Sequence, residues 1–351
     1  MGNGKKNGIW SAVAIVLAAF SIYAVAKQTK DYSLEDLKKY ISEANPFWLC
    51  MAVICALLYI FFEGYAIIRI LKAFGYVRPI RKGIVYSAAD IYFSAITPSA
   101  TGGQPASAFF MVYDGVPAGV SAVALMVNIV MYTASIMSIG IVALIISPEV
   151  FADFAGFSKF LIIIGYVILG GLVLSVIVLL KEEKWVHSIC SFVLRLLSKI
   201  RIIKSRERFE KKLDKIIADY KNCSELIDGQ RRMLFECFIY NFLQRSLQIC
   251  VSVMIYLADG GPFENAHSIW STHAFTVIGS NCVPVPGAMG VIDYLLLDGM
   301  GNLMSAEDAT SLELTSRTIS FYFCILLCLV IVGLGYLSVK RHEAFEGDEE
   351  C

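Results

Sequence analysis

The sequence predicts an all-α polytopic membrane protein, with about six full transmembrane helices and two re-entrant broken-helix hairpins in an inverted-repeat arrangement. Composition is the first reason: 57% of the 351 residues are hydrophobic, 17% are charged, and the mean hydropathy is +0.65. The second is a set of apolar runs of about 18 or more residues, long enough to cross a bilayer. The third is a pair of Pro- and Gly-rich interruptions, at 96–114 and 280–293. These features disfavour a soluble two-domain enzyme.

The two interruptions read ITPSATGGQPASAFFMVYD and SNCVPVPGAMGVID. Lipid cannot satisfy an unpaired backbone N–H or C=O group, so irregular backbone at membrane depth must be buried in protein or line a wet cavity. Two interrupted apolar segments at corresponding places in two halves indicate a transporter binding site. We therefore predict that the functional centre lies at these two breaks. The alternative is that their Pro and Gly residues only kink ordinary transmembrane helices.

Each predicted element follows from the length and charge of its segment. From Gly83, only about 15 apolar residues precede Thr97-Pro98, which is too short for a span and predicts a hairpin that enters and leaves on one side. Basic loops place both termini in the cytoplasm, although four lysines between 27 and 39 depart from this rule. The first span ends in Ala24-Val25-Ala26, so its cleavage as a signal peptide is an open alternative. The six predicted spans are 8–26, 46–71, 118–147, 157–180, 233–257 and 314–339.

The chain is predicted to form a single integral membrane domain, 1–351, built from two halves. Residues 31–44 have the spacing of an amphipathic surface helix. Segment 181–232 carries 14 Lys and Arg against eight Asp and Glu, which predicts a basic amphipathic segment in the cytoplasm. The remaining boundaries are a first half at 8–180 with hairpin 83–115, and a second half at 233–339 with hairpin 266–298.

The breaks have the chemistry of an anion site. A helix that begins inside the membrane has unpaired N–H groups and about half a positive charge at its start, and such ends bind anions. We predict two of these starts, at Gln104-Pro105 and Gly287-Ala288, which suit a phosphate or carboxylate. A lipid phosphodiester or a lipid-linked phosphate fits such a site. Hydroxyl donors and residues that allow close backbone approach complete the prediction at the first break: Thr97, Ser99, Thr101, Gly102 and Gly103.

Charged residues inside the apolar runs are functional candidates, because each costs about 2.5–3.5 kcal/mol on insertion scales. We predict that Arg245 and Arg317 hold a substrate phosphate or pair with Asp293 or Asp90. Arg245 belongs to a polar stripe with Asn241, Gln244 and Gln248. Coupling roles are predicted for Glu63, Asp90 and Asp114, the alternative for Asp114 being an interfacial position near a helix end. The scattered Cys and His residues form no metal motif, so neither a metal nor another cofactor is expected.

At both breaks the sequence resembles the lysylphosphatidylglycerol synthase transmembrane-region family, the flippase-like domain of bacterial multiple peptide resistance factors. Members often carry Glu where this chain has Gln104, and Glu where it has Asp293. The residues that carry the resemblance are Thr97-Pro98-Ser99, Gly102-Gly103-Gln104, Pro284, Pro286-Gly287, Gly290, Asp293 and Arg317.

The resemblance implies a lipid translocase of the bacterial inner membrane, for an anionic or aminoacylated phospholipid such as lysylphosphatidylglycerol, and thus a role in resistance to cationic antimicrobial peptides. Full-length members add a soluble aminoacyl-transferase domain that uses charged tRNA. Only 12 residues follow Val339 here, so the expected partners are the membrane phospholipid and a separate lipid aminoacyl-transferase, with no nucleic acid. Two alternatives stay open: a membrane-embedded phosphatidylglycerol lysyltransferase, or a component of one, with Asp293 or Asp90 as base, and an ion-coupled carrier of a small anion.

Overall fold

Five helices of the computed structural model are long and apolar enough to cross a membrane. The structure describes residues 43–97, 100–181, 216, 219–227, 229–281 and 290–349, and these contain no strand. The five helices coincide with the predicted second to sixth spans. The predicted first span, nearly all of the surface helix at 31–44 and most of segment 181–232 lie outside the described residues. The five are α1 (Pro46–Ala73), α4 (Ala118–Ile146), α6 (Gly156–Lys181), α7 (Arg231–Ala258) and the continuous stretch Ala306–Leu337.

The last of these spans begins eight residues earlier than predicted. It consists of α10 (Ala306–Arg317), a π-helical turn (Thr318–Phe323) and α11 (Cys324–Glu349). The side chain of Ser305 caps its start by accepting a hydrogen bond from the Asp308 amide at 3.2 Å. Acidic residues in the first turn are favourable beside the helix dipole, so the polar stretch before Leu314 extends the helix beyond its apolar run.

Helices α1 and α7 pack against each other along their lengths and run in opposite directions. Asn45, which caps the start of α1, donates its backbone N–H to the carbonyl of Ala258 at the end of α7, at 2.9 Å. At the other end, Arg69 of α1 forms an ion pair with Glu236 of α7. The first long helix of one half is therefore antiparallel to the first long helix of the other.

The first break joins α2 (Ile80–Ile96) to α3 (Gly103–Tyr113), which form an antiparallel hairpin. At the tip, the Thr97 hydroxyl donates to the Phe93 carbonyl at 2.6 Å and accepts the Gly102 amide at 2.8 Å. The threonine side chain thus satisfies backbone groups that the interrupted helix leaves unpaired. The second half-helix starts at Gly103, two residues before the predicted start at Pro105.

The second break joins α8 (Ala266–Ser280) to α9 (Val291–Met300). Gly290 precedes α9 with a positive φ of 79°, a conformation that favours glycine. Its amide donates to the Asp293 carboxylate at 3.0 Å, which caps the new helix. The predicted start at Gly287-Ala288 lies among residues 282–289, outside the described part of the chain.

The order of one long helix, two short helices and one long helix occurs twice, as α1 to α4 and as α7 to α11. Short helix α5 (Pro148–Asp153) and span α6 lie between the two sets. Each hairpin also packs against the closing long helix of the other set, α2 against α11 and α8 against α4. The two sets of helices therefore pack into each other, and their first long helices are antiparallel.

Asp114 closes the open end of the first hairpin. Its carboxylate accepts hydrogen bonds from Lys82 Nζ and from the Tyr86 hydroxyl, both at 2.6 Å, and Arg78 donates to its backbone carbonyl at 2.7 Å. These contacts, here the Asp114 clamp, tie the end of α3 to the start of α2. Asp114 is thus the residue that ends α3, and it is contacted by three residues from the start of α2 and the loop before it.

Replacing Asp114 with alanine is expected to destabilise the protein by about 1–3 kcal/mol, because the buried hydroxyl of Tyr86 loses its acceptor. The midpoint of thermal unfolding in detergent measures the effect. Glu149→Ala, which removes an exposed carboxylate at another helix end, is the matched control and should change the midpoint little. Equal midpoints for the two variants would show that the Asp114 clamp does not stabilise the hairpin.

Candidate substrate cavity

Both hairpin tips border one cavity of about 630 Å³. Ala100 and Gln104 face it from the first break, and Ser280 and Asn281 from the second. The long helices contribute side chains from near their midpoints, so the cavity lies at the depth where the two broken helices end. These side chains include Tyr59, Glu63, Asn128, Thr133, Gln244 and Gln248.

Two buried carboxyl groups face each other in the cavity wall. Glu63 of α1 and Asp90 of α2 are each 6% exposed. Ser87 and Gln244 donate to Glu63 Oε2, at 3.2 and 3.0 Å, and Ser87 lies one turn before Asp90 on α2, so the two carboxyl groups are neighbours. Neighbouring buried carboxyl groups do not both ionise, so one of them keeps its proton. The two groups therefore form a unit, here the carboxyl pair.

The first hairpin supplies the remaining partners of Asp90. Ser94 donates to Oδ1 at 3.1 Å, and the side-chain amide of Gln104 donates to Oδ2 at 2.5 Å. The Gln104 bond runs from the first turn of α3 to the middle of α2. Asp90 thus connects the carboxyl pair directly to the break that the sequence identified.

The cavity wall offers acceptors rather than positive charge. None of its described residues is Lys or Arg. The amide oxygens of Gln104 and Gln244 are buried, and no donor from the described residues reaches either of them. Two carboxyl groups and two amide oxygens form a wall that suits a cation or an ammonium group, whereas the sequence predicted an anion site. The starts of α3 and α9, where an anion was predicted to bind, lie at the two breaks.

Arg245 lies close to the cavity, but it pairs with neither Asp90 nor Asp293. Only 8% of its surface is exposed, its guanidinium lies 4.6 Å from the centre of the Tyr132 ring, and it donates to Gln248. The residue before it, Gln244, contacts Glu63. Arg245 therefore supplies a positive charge just behind the residues that line the cavity, and the Tyr132 ring and the Gln248 amide hold its guanidinium.

Arg317 forms the ion pair with Asp293 that the sequence named as one of its options. It also pairs with Glu313, whose Oε1 lies 2.5 Å from Arg317 Nη2. Glu313 is buried, with 6% of its surface exposed. One guanidinium thus joins two carboxyl groups where α9 begins and α10 ends, here the Arg317 cluster.

The other predicted residues fall into three groups. Thr97 and Gly102 form the tip of the first hairpin, Gly103 packs against Asp90, and Thr101 is exposed beside them. Asp114 does not line the cavity, because the Asp114 clamp is at the other end of the hairpin. Ser99, Pro284, Pro286 and Gly287 lie outside the described residues.

Sequence reasoning left Glu313 and Gln244 out of the site. Glu313 lies one helical turn before Arg317, a spacing at which opposite charges commonly pair, so a search for that pattern would have found it. Gln244 belongs to the polar stripe of α7, which the sequence showed without indicating its partner. Its contact with Glu63 joins residues 181 positions apart.

Apolar spans, two helix breaks and a polar cavity between them define a multi-pass α-helical membrane protein. The chain matches the family described as the lysylphosphatidylglycerol synthase TM region over residues 9–328. It therefore belongs to that family, as the motifs at the two breaks indicated. No curated protein matches the chain.

Proposed function

We propose that the protein is a lipid translocase of the bacterial inner membrane that moves a phospholipid with an aminoacylated headgroup, such as lysylphosphatidylglycerol. The observation that carries the proposal is the acidic cavity between the two hairpin tips. The family connects the chain with lysylphosphatidylglycerol by its description. The carboxyl pair favours the amine-bearing form of that lipid over an unmodified anionic one.

The proposed architecture is that of two re-entrant hairpins approaching from opposite faces. Helix α2 has 17 residues, hence a length of about 26 Å, and it returns through α3 to the Asp114 clamp at its own starting side. Both tips border the same cavity, and the halves are antiparallel. Rocking of one half against the other would open this cavity to each leaflet in turn.

The cavity and the helix starts suit the two ends of an aminoacylated headgroup. The carboxyl pair and the amide oxygens of Gln104 and Gln244 suit the ammonium groups, and the start of α3 suits the phosphate. A carrier of a small anion would place its cargo against two carboxyl groups, which is unfavourable. The wall therefore favours the lipid over that alternative.

The test is an outer-leaflet assay in a bacterial host that makes lysylphosphatidylglycerol but cannot expose it. Cells with and without the gene are extracted for total lipid, and amines at the outer surface are labelled with a reagent that does not cross the membrane. We expect equal totals and at least tenfold more labelled lysylphosphatidylglycerol when the gene is present. A change in the total amount of the lipid would instead support the transferase alternative, and equal labelling would contradict the translocase.

A further inference from the structure

The net charge of the carboxyl pair depends on how many protons Glu63 and Asp90 hold. Both groups are buried and neighbouring, and two such carboxyl groups do not ionise together, so the pair keeps one proton and carries a single negative charge. Arg245 directly follows Gln244, which contacts Glu63, and it carries one positive charge. With its proton, the pair is therefore neutralised by the guanidinium behind the wall.

Other groups that face the pair do not alter this balance. Tyr59 lies one turn before Glu63 in α1 and lines the cavity, and Cys328 is buried in α11. Cys324 lies one turn from Cys328 and lines the cavity. A phenol and two thiols in a dry wall are neutral. Helices α3 and α4 present only neutral residues to the cavity within the described chain, among them Gln104 and Asn128.

Losing the proton would leave one uncompensated negative charge in a buried site, which is costly. An ammonium group that enters as the proton leaves restores the balance. The amide oxygens of Gln104 and Gln244, which no described donor reaches, would then accept hydrogen bonds from that ammonium group. With only a proton on the carboxyl pair and no ammonium group bound, neither amide oxygen would have a hydrogen-bond donor.

We propose that the carboxyl pair exchanges one proton for one ammonium group of the substrate, so that the translocase works as a proton–amine antiporter. This inference rests on the proposed function and adds its energy source. The proton leaves the carboxyl pair for the solvent as the ammonium binds, and the charge of the site is unchanged. An inward proton gradient would then drive aminoacylated lipid outward.

The experiment measures protons released on binding. The purified full chain in detergent is titrated calorimetrically with short-chain lysylphosphatidylglycerol, in two buffers that differ in their heat of ionisation, between about pH 5 and 6.5, where the amines of the ligand stay charged. We expect about one proton released per ligand. Because proton and amine compete, affinity should rise about tenfold per pH unit. Short-chain phosphatidylglycerol, which has no amine, should release none.

Asp90→Asn is the matched variant, since it keeps the size of the side chain and removes the shared proton. We expect it to release no proton and to lose the pH dependence. If this variant does not fold, Glu63→Gln makes the same test. Equal release by the variant, binding without release, or a requirement for sodium in place of proton release would overturn the exchange.

A second measurement separates the exchange from the proposed function. Wild-type protein in liposomes is tested for movement of lysylphosphatidylglycerol with and without a pH gradient. Lipid movement at the same rate with and without the pH gradient would contradict the exchange but not the proposed translocase. Proton release without lipid movement supports the exchange and overturns the translocase, and absence of any amine binding overturns both.

Discussion

For the lipid translocation proposed above, the Gly103→Ala variant should work at one tenth of the wild-type rate or less and still insert into the membrane normally. An alanine Cβ at this position would lie 2.0 Å from both Asp90 Oδ1 and Ser94 Oγ, and 2.6 Å from the Asp90 backbone oxygen. Since one of these atoms belongs to the backbone, a rotamer change cannot relieve the contact. The tip of α3 must then move away from α2.

That movement separates Gln104 from Asp90, and a charge-assisted hydrogen bond of about 1.5–3 kcal/mol is lost, which corresponds to a factor of ten or more. The rate is measured in proteoliposomes by labelling amines on one side. Gly171→Ala is the control, because nothing lies within 4 Å of its Cβ position in α6. A wild-type rate for Gly103→Ala would show that the close packing of α3 on Asp90 is not needed for transport.

Removal of Arg317 should cause the largest loss of stability of any single substitution considered for this protein. The Arg317→Ala variant leaves Asp293 and the buried Glu313 without their shared cation. Breaking a buried ion pair costs about 3–5 kcal/mol, because the remaining charges stay desolvated. Thermal unfolding in detergent and the fraction of protein inserted into the membrane should both decrease.

Two further variants make this result specific. Adding Glu313→Gln to Arg317→Ala removes one stranded carboxylate and should recover part of the lost stability. Arg232→Ala, whose side chain is 89% exposed beside Glu236, should change stability by less than about 1 kcal/mol. If Arg317→Ala is as stable as Arg232→Ala, the Arg317 cluster does not connect α9 to α10 in the folded protein.

The sequence by itself determined where helices run and where they stop. Hydrophobic length and the position of Pro and Gly act locally, through desolvation of the backbone and through its allowed dihedral angles. The five described spans and the break after Ile96 could therefore be predicted to within a few residues, apart from the polar start of α10. Family motifs at the breaks indicated the class of protein, and two of their residues, Thr97 and Gly290, have a role in the local backbone geometry.

Only the tertiary structure decided which charged groups meet and what sign the site has. Glu63 contacts Ser87, one turn before Asp90, and Gln244, because α1, α2 and α7 pack with particular faces together, and no local pattern encodes that rotation. The same packing puts Asp114 in a clamp and Arg245 behind the cavity wall. Side chains from distant segments thus give the cavity beside the predicted helix starts an acidic wall, whose full charges exceed the partial charge of a helix end.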